Sequence, residues 1–409
     1  MKKIFANLLA LSVCAAAFGG CAKPEEKKYG AEEMTKAFWL SDTMYNESVM
    51  MVKEKDGAAP TGNLAFVPTG KVKVTNPTMT VTYEEGKDYK ISGRTIEATA
   101  ETSMPWLKEE VLFGIDMPEG KGLSLQPASE EAKQKGYENI LYTESAFLIE
   151  NQVLVTYDYD KTQFDQSTLP AYQGDKLSNT RALLEAKAPL QIIAYGDSIS
   201  TGCNSTGGGL QSIYDDTYPG NSLYIPFDRA PYTPTFPEMF AEGLAEKYGS
   251  DVGVYGAAMG GQTSDWGARS AAARVVNPDM GYDPDLVTIT FGMNDATLGV
   301  PLDRFEENLL KIIDDIRAVS GKAVEFILIG TMLANSNASQ CKNQEAYWPV
   351  MQKVAALREG VAASDMGGMH KFFLQNKKPA DMLANNINHP NDFLIRMYAM
   401  NLLATLIQE

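Results

Sequence analysis

Apolar positions change their spacing twice along this chain. Residues 4–18 form an almost continuous apolar run behind Lys2 and Lys3. From about 46 to 160, apolar and polar positions alternate or gather into short β-branched runs, at 64–67, 71–75, 78–83, 89–91, 94–98, 110–113, 146–149 and 152–159. Pro68-Thr69-Gly70, Asn76-Pro77 and Glu85-Gly86 punctuate them. A period of two broken by turn residues predicts strands. Short strands at this spacing predict a β-sandwich of jelly-roll type. From Pro189 the pattern changes again: apolar runs at 191–195, 252–254, 286–291 and 324–329 alternate with helical periodicity at 235–247, 303–319, 344–363 and 393–408. That alternation predicts an α/β fold, a flavodoxin-like doubly wound parallel sheet. A polar stretch at 163–173 and a helical one at 176–187 join the halves. The expected organisation is an export segment over 1–20, a tether and lead-in over 21–45, a β-sandwich over 46–160, a linker over 161–185 and an α/β domain over 186–409.

The first run is too short to remain in a bilayer as a helix and reads as an export signal. It ends in Phe18-Gly19-Gly20-Cys21, which resembles a bacterial lipobox, with Phe18 in place of the usual Leu. The resemblance implies that Cys21 becomes a lipidated first residue, anchoring the protein to a bacterial cell membrane at its periplasmic face or at the cell surface. The alternative is a secreted protein cleaved nearby, with Cys21 free. Loss of residues 1–20 removes two lysines and no acids, taking the formal charge from −16 to −18. Such an acidic surface disfavours nucleic acid as a partner. With Cys14 removed and Cys21 lipidated, Cys203 and Cys341 remain, either as a disulfide across one rim of the sheet or as two separate thiols. Neither the cysteines nor the two histidines have metal-ligand spacing, so no metal or organic cofactor is expected.

Candidate chemistry lies where the second-half strands end. The first strand stops at Gly196-Asp197 and delivers Ser198, in the position where open α/β sheets place their reactive groups. By itself a Gly-Asp-Ser turn is ordinary. The second strand leads into Gly256 to Gly261, whose backbone N–H groups suit a developing anion. The third leads into Gly292-Met293-Asn294-Asp295, with the Asn294 amide as a donor. His389 lies just before the last helix. Individually these are packing glycines, a helix cap and a loop histidine; together, in this order, they outline a serine-hydrolase site. The long polar stretch 201–234 after Ser198 is suited to shaping a pocket.

In these four blocks the second half resembles the SGNH/GDSL hydrolase superfamily: Gly196-Asp197-Ser198, Gly261, Gly292-x-Asn294-Asp295 and His389. The resemblance covers about 185–409. The longer stretches GDSISTG and NHPND are similar to bacterial members with an N-terminal β-domain, several of which act as carbohydrate esterases. It implies Ser198 as nucleophile, His389 as base, and an oxyanion hole from Ser198, Gly261 and Asn294; Asp197 and Asp295 are candidate pocket residues, and Trp266, five residues beyond Gly261, reads as a pocket wall or as a packed aromatic. Two departures stand out. Gly256 replaces the usual Asn of the second block, and Asn386 stands three residues before His389 where an Asp is usual. Asn386 or Asn388, or a backbone carbonyl, could orient His389, leaving a Ser-His dyad; Asp392 suits helix capping better. The implied substrate is a short acyl ester, above all O-acetyl, on carbohydrate. The alternatives are a lipase acting on longer acyl chains and an inactive surface glycan-binding lipoprotein. Trp39 and Trp106 read as core or as a sugar platform, and His370 reads as a loop residue.

Overall fold

The structure is a computed structural model that describes residues 35–213 and 227–408. The export run, Cys21 and part of the 201–234 stretch lie outside the described residues. The second half forms a five-stranded, wholly parallel sheet. Strand Leu190–Gly196 lies between Val252–Gly256 on one side and Leu286–Thr290 on the other, followed by Glu325–Gly330 and Val361–Asp365. The chain therefore reverses its direction of winding at the end of Leu190–Gly196, which opens a crevice beyond its carboxyl end. The strands Leu286–Thr290 and Glu325–Gly330 are buried along their whole length, which explains their continuous apolar sequence.

Helices cover both faces. Phe236, Phe240 and Tyr398, from helices Phe236–Tyr248 and Asp392–Leu406, share a core with Ile192 and Ile327. On the opposite face, Ala271, Leu309, Ile313 and Met351 pack on Ile193 and Val287. Helix Phe236–Tyr248 starts where the Glu238 carboxylate accepts from the Thr235 N–H and hydroxyl, and it stops at Gly249 in the left-handed region. The helix expected over 344–363 ends at Leu357. Gly360, at φ +66°, turns the chain into a fifth strand, Val361–Asp365, whose small residues disguise it. His370 lies in helix Met366–Leu374, not in a loop. Its Nδ1 accepts from the Leu333 N–H at 3.1 Å, and burial pushes its imidazole down to about 3.

The first half has a four-stranded antiparallel sheet and a five-stranded one. Met44, Val49, Val72 and Val153 from the first pack with Tyr89 and Ile96 from the second, as in a sandwich. A separate antiparallel pair, Leu123–Pro127 with Asn139–Thr143, was not apparent from periodicity. The strands expected at 110–113 and 146–149 are single helical turns, Glu109–Leu112 and Phe147–Glu150. Runs of four residues carry too little period to separate the two states. Trp39 is buried between Phe38 and Phe164, a core position, whereas Trp106 is partly exposed beneath Lys53.

The two halves share one core, with Phe38 against Phe373 and Phe66 against Phe372. They also share buried polar groups. Lys377 Nζ lies 2.6 Å from Glu47 Oε1 and donates to the carbonyls of Ser48 and Asn63, while Tyr157 donates to Glu47 Oε2 at 2.5 Å. Both charged side chains are fully buried. Main-chain pairing of Ala128 with Ala338, and of Ser129 N–H with the Asn337 carbonyl, closes the seam near the small antiparallel pair.

Candidate active site

Ser198 leaves the sheet on a turn that Gly196 makes possible. A Cβ on Gly196 would lie 2.3 Å from the Thr290 carbonyl, so only glycine lets the two strands approach this closely. Beyond it, Asp197 N–H donates to the Thr290 carbonyl, the Asp197 carboxylate accepts from Ile199 N–H, and Thr201 and Cys203 close the turn on the Ser198 carbonyl. Ser198 is thus held by its backbone, with its hydroxyl left to partner His389. Ser198 Oγ lies 2.9 Å from His389 Nε2, with the two residues 5% and 3% exposed.

His389 sits on a loop organised by Asn385. The Asn385 Oδ1 accepts from the N–H groups of Ile387, Asn388 and His389 at 2.9 to 3.0 Å. Main-chain pairing of Leu383 with Pro390 closes the loop base. On its far side the imidazole Nδ1 lies 2.6 Å from Asn204 Oδ1 and 3.2 Å from Glu144 Oε2. Two acceptors there fix the tautomer with the proton on Nδ1, leaving Nε2 to accept the serine proton. Glu144 belongs to the first half, at the exit of strand Asn139–Thr143. Its other oxygen accepts from the Tyr142 hydroxyl at 2.7 Å and from Asn385 Nδ2 at 3.2 Å.

The electrostatics follow from burial opposed by these partners. Burial pushes the Glu144 carboxyl up, but the adjacent His389 charge and the bonds from His389, Tyr142 and Asn385 together bring it below its ordinary value. Burial likewise pushes the His389 imidazole down, and the Glu144 carboxylate, with a smaller effect from Asp197, reverses this to leave it raised. Asp197 is driven by burial up to about 7.

Asn294 and Gly261 lie at the neighbouring strand ends. The Asn294 amide donates to the Gln262 carbonyl at 3.0 Å and faces Asp197 Oδ2 at a long 3.4 Å. Gly261, at φ +74°, turns an exposed backbone segment. Among the described residues, neither the Ser198 nor the Gly261 N–H has a protein acceptor.

Other expected residues are placed differently. Asn386 does not face His389: its amide nitrogen donates to the carbonyls of Leu112 and Leu141, and its Oδ1 accepts from Asn335. An amide oxygen engaged there cannot orient the imidazole. Asn388 Oδ1 accepts from Asn385 instead. Asp295 is fully buried and accepts from the Ser264 N–H and hydroxyl and the Gly292 N–H, tying two strand ends together behind the site rather than lining a pocket. Asp197 is buried beneath Ser198, where it holds the turn. Trp266 packs its ring on Tyr195 and Phe291, with the Arg274 guanidinium over it, so core packing explains it. Asp392 accepts from the Thr206 N–H and hydroxyl, fixing the loop after the nucleophile, while Asn391 caps the last helix. Cys203 and Cys341 are free thiols, Cys203 against the Thr201 hydroxyl at 3.4 Å.

Sequence reasoning did not find Glu144 or Asn204. Asn204 lies within the GDSISTG continuation, but nothing local marks its side chain as facing His389. Glu144 follows an unrecognised strand in the other half of the chain. Among the described residues no group of three or more His, Cys, Asp or Glu is arranged to hold a metal ion.

Residues 194–393, which run from the nucleophile strand past His389, match the model of the GDSL-like lipase/acylhydrolase family. That stretch contains Gly196-Asp197-Ser198, Gly261, Gly292-x-Asn294-Asp295 and His389. No curated protein matches the chain. Among solved structures, this chain is similar to a two-domain esterase (CEX) active on acetylated mannans, at 16% identity and a TM-score of 0.41, over 59% of this chain and 57% of the esterase. This chain thus spans little more than half of that protein's length. An acetyl xylan esterase, AlAXEase, is similar at 19% identity and a TM-score of 0.38, over 53% of this chain and all of the other. The lipase/acylhydrolase from Enterococcus faecalis is similar at 22% identity and a TM-score of 0.36, over 53% of this chain and 95% of the other. These likenesses are too distant to bear on substrate.

Proposed function

We propose that the protein is a serine esterase that removes short acyl groups, above all O-acetyl, from carbohydrate. The observation that carries the reading is the 2.9 Å bond from Ser198 Oγ to His389 Nε2. Ser198 attacks the ester carbonyl as His389 takes its proton. The carbonyl oxygen becomes an oxyanion held by the N–H groups of Ser198 and Gly261 and by the Asn294 amide, which turns from Asp197 toward it. Collapse expels the alcohol, protonated by His389, and leaves an acyl-serine. Water then attacks that ester, its proton passing to His389, and the acid departs with Ser198 regenerated.

The carbohydrate and short-acyl parts rest on the expected export and lipid anchor at Cys21 and on the sequence of the 201–234 stretch, too polar to suggest the broad apolar groove that a long acyl chain needs. Among the described residues no helix is long and apolar enough to cross a membrane. The assembled Ser198–His389 pair supports hydrolysis over the binding-only alternative. The test is hydrolysis of p-nitrophenyl acetate and octanoate, and of acetylated glycans, by the purified protein and by Ser198→Ala. Acetate is expected to be cleaved faster than octanoate, and Ser198→Ala to lose at least about a thousandfold in kcat. Equal rates for protein and variant would sink the mechanism.

A further inference from the structure

We propose that Glu144, from the N-terminal β-rich half, is the charged positioning residue behind His389, so that the catalytic apparatus is assembled from both halves of the chain. This rests on the reading of Ser198 and His389 as nucleophile and base. The position three residues before the base, where the family's carboxylate usually lies, is Asn386, and its side chain is committed elsewhere. The carboxylate that does reach Nδ1 arrives on the opposite side of the imidazole from Ser198, 3.2 Å away and 7% exposed. It is braced by Tyr142 and by Asn385, the same residue that holds the His389 loop. Loop and carboxylate are therefore positioned by one side chain.

Asn204 lies closer to Nδ1, at 2.6 Å, and the two acceptors have different capacities. An amide oxygen fixes the tautomer in the resting enzyme. When His389 accepts the serine proton it becomes an imidazolium, and only a full negative charge gains substantially from that change. Among the described residues, the charged groups acting on His389 are Glu144 and Asp197. Asp197 lies beneath Ser198, bonded to Ile199 N–H, and makes no bond to the ring. The nearby Cys203 thiol is kept neutral by burial. Glu144 is thus the carboxylate placed to stabilise the charged base, and Asn204 the neutral group that orients it.

The experiment compares pH profiles of kcat/KM for the full-length protein, E144Q, E144D and N204A, with Ser198→Ala reporting separately on the underlying reading. The base works when neutral, so activity is gained as pH rises through the His389 pKa. Loss of the carboxylate lowers that pKa and moves the acid limb to lower pH, by about one unit or more in E144Q, while kcat falls on the order of 10²- to 10⁴-fold. E144D keeps the charge and the limb position with a smaller loss in kcat, and N204A loses kcat with its limb unmoved. An E144Q profile superimposable on that of the parent, with kcat within about twofold, overturns the proposal even when Ser198→Ala is inactive. A readout independent of turnover is NMR titration of the imidazoles, since the chain has only His370 and His389. Even in the Ser198→Ala background, E144Q is expected to lower the titration midpoint of His389; an unchanged midpoint would refute the assignment. Should E144Q fail to fold, N204A and E144D carry the same comparison: a limb displaced by N204A and not by E144D assigns the charge effect elsewhere.

Discussion

Asn294 is held in a waiting position. One amide hydrogen is engaged by the Gln262 carbonyl at 3.0 Å, while the other meets Asp197 at a long 3.4 Å, so the bond surrendered when an oxyanion forms is the weak one. Asn294→Ala is therefore expected to lower kcat by about 10²- to 10³-fold, or roughly 2.7–4 kcal/mol, with KM little changed, as read from steady-state hydrolysis of p-nitrophenyl acetate. Residues of this kind were legible in the sequence because each stands at the exit of a recognisable strand, where an α/β sheet places its chemistry. Ser198, Gly261 and Asn294 share that property, whereas His389 stands in the loop just before the last helix. Asp295 and Asp197 follow strand ends too, yet both are buried and spent on neighbouring groups, Asp295 on Ser264 and Gly292 and Asp197 on Ile199, which residue type alone does not reveal. Glu144 was invisible for another reason: its neighbour in space, His389, is 245 positions away.

At the scale of elements, the His389 loop shows how one position can change its role. The backbone of Asn386 takes φ +67°, a conformation asparagine tolerates, and its side chain reaches out to two carbonyls of the first half. Restoring the family's carboxylate there with Asn386→Asp would set two acceptor oxygens against the Leu112 and Leu141 carbonyls and leave those carbonyls unpaired. A loss of about 2–5 kcal/mol in stability, with no gain in activity, is expected from urea unfolding followed alongside esterase assays. Elements themselves were readable in proportion to their length. Helices 303–319 and 393–408 were placed within a residue or two at either end because their apolar stripes repeat over several turns. Four-residue runs such as 110–113 and 146–149 carry too little period to separate a helical turn from a strand, and the alanine and serine of Val361–Asp365 mark neither state.

Over the whole molecule, the first half is bound to the second by buried charge as well as by apolar contact. Lys377 from the second half and Glu47 from the first are both fully buried, and each has further hydrogen-bond partners. Lys377→Ala would strand the Glu47 carboxylate without its cation. A loss of about 3–5 kcal/mol is expected, measured by thermal or urea unfolding followed at both the tryptophan fluorescence and the far-ultraviolet circular dichroism.

The seam that carries this ion pair also separates Glu144 from His389, and that gives catalysis a place in the history of the chain. Contacts between residues hundreds of positions apart form late, after the local structure on either side has paid its own entropy. A molecule whose two halves have each folded but have not yet closed on one another has its nucleophile and base on one side of the seam and the carboxylate on the other. If Glu144 serves His389 as proposed, turnover counts closed molecules, and on refolding from urea full esterase activity is expected to return last, after the far-ultraviolet circular dichroism.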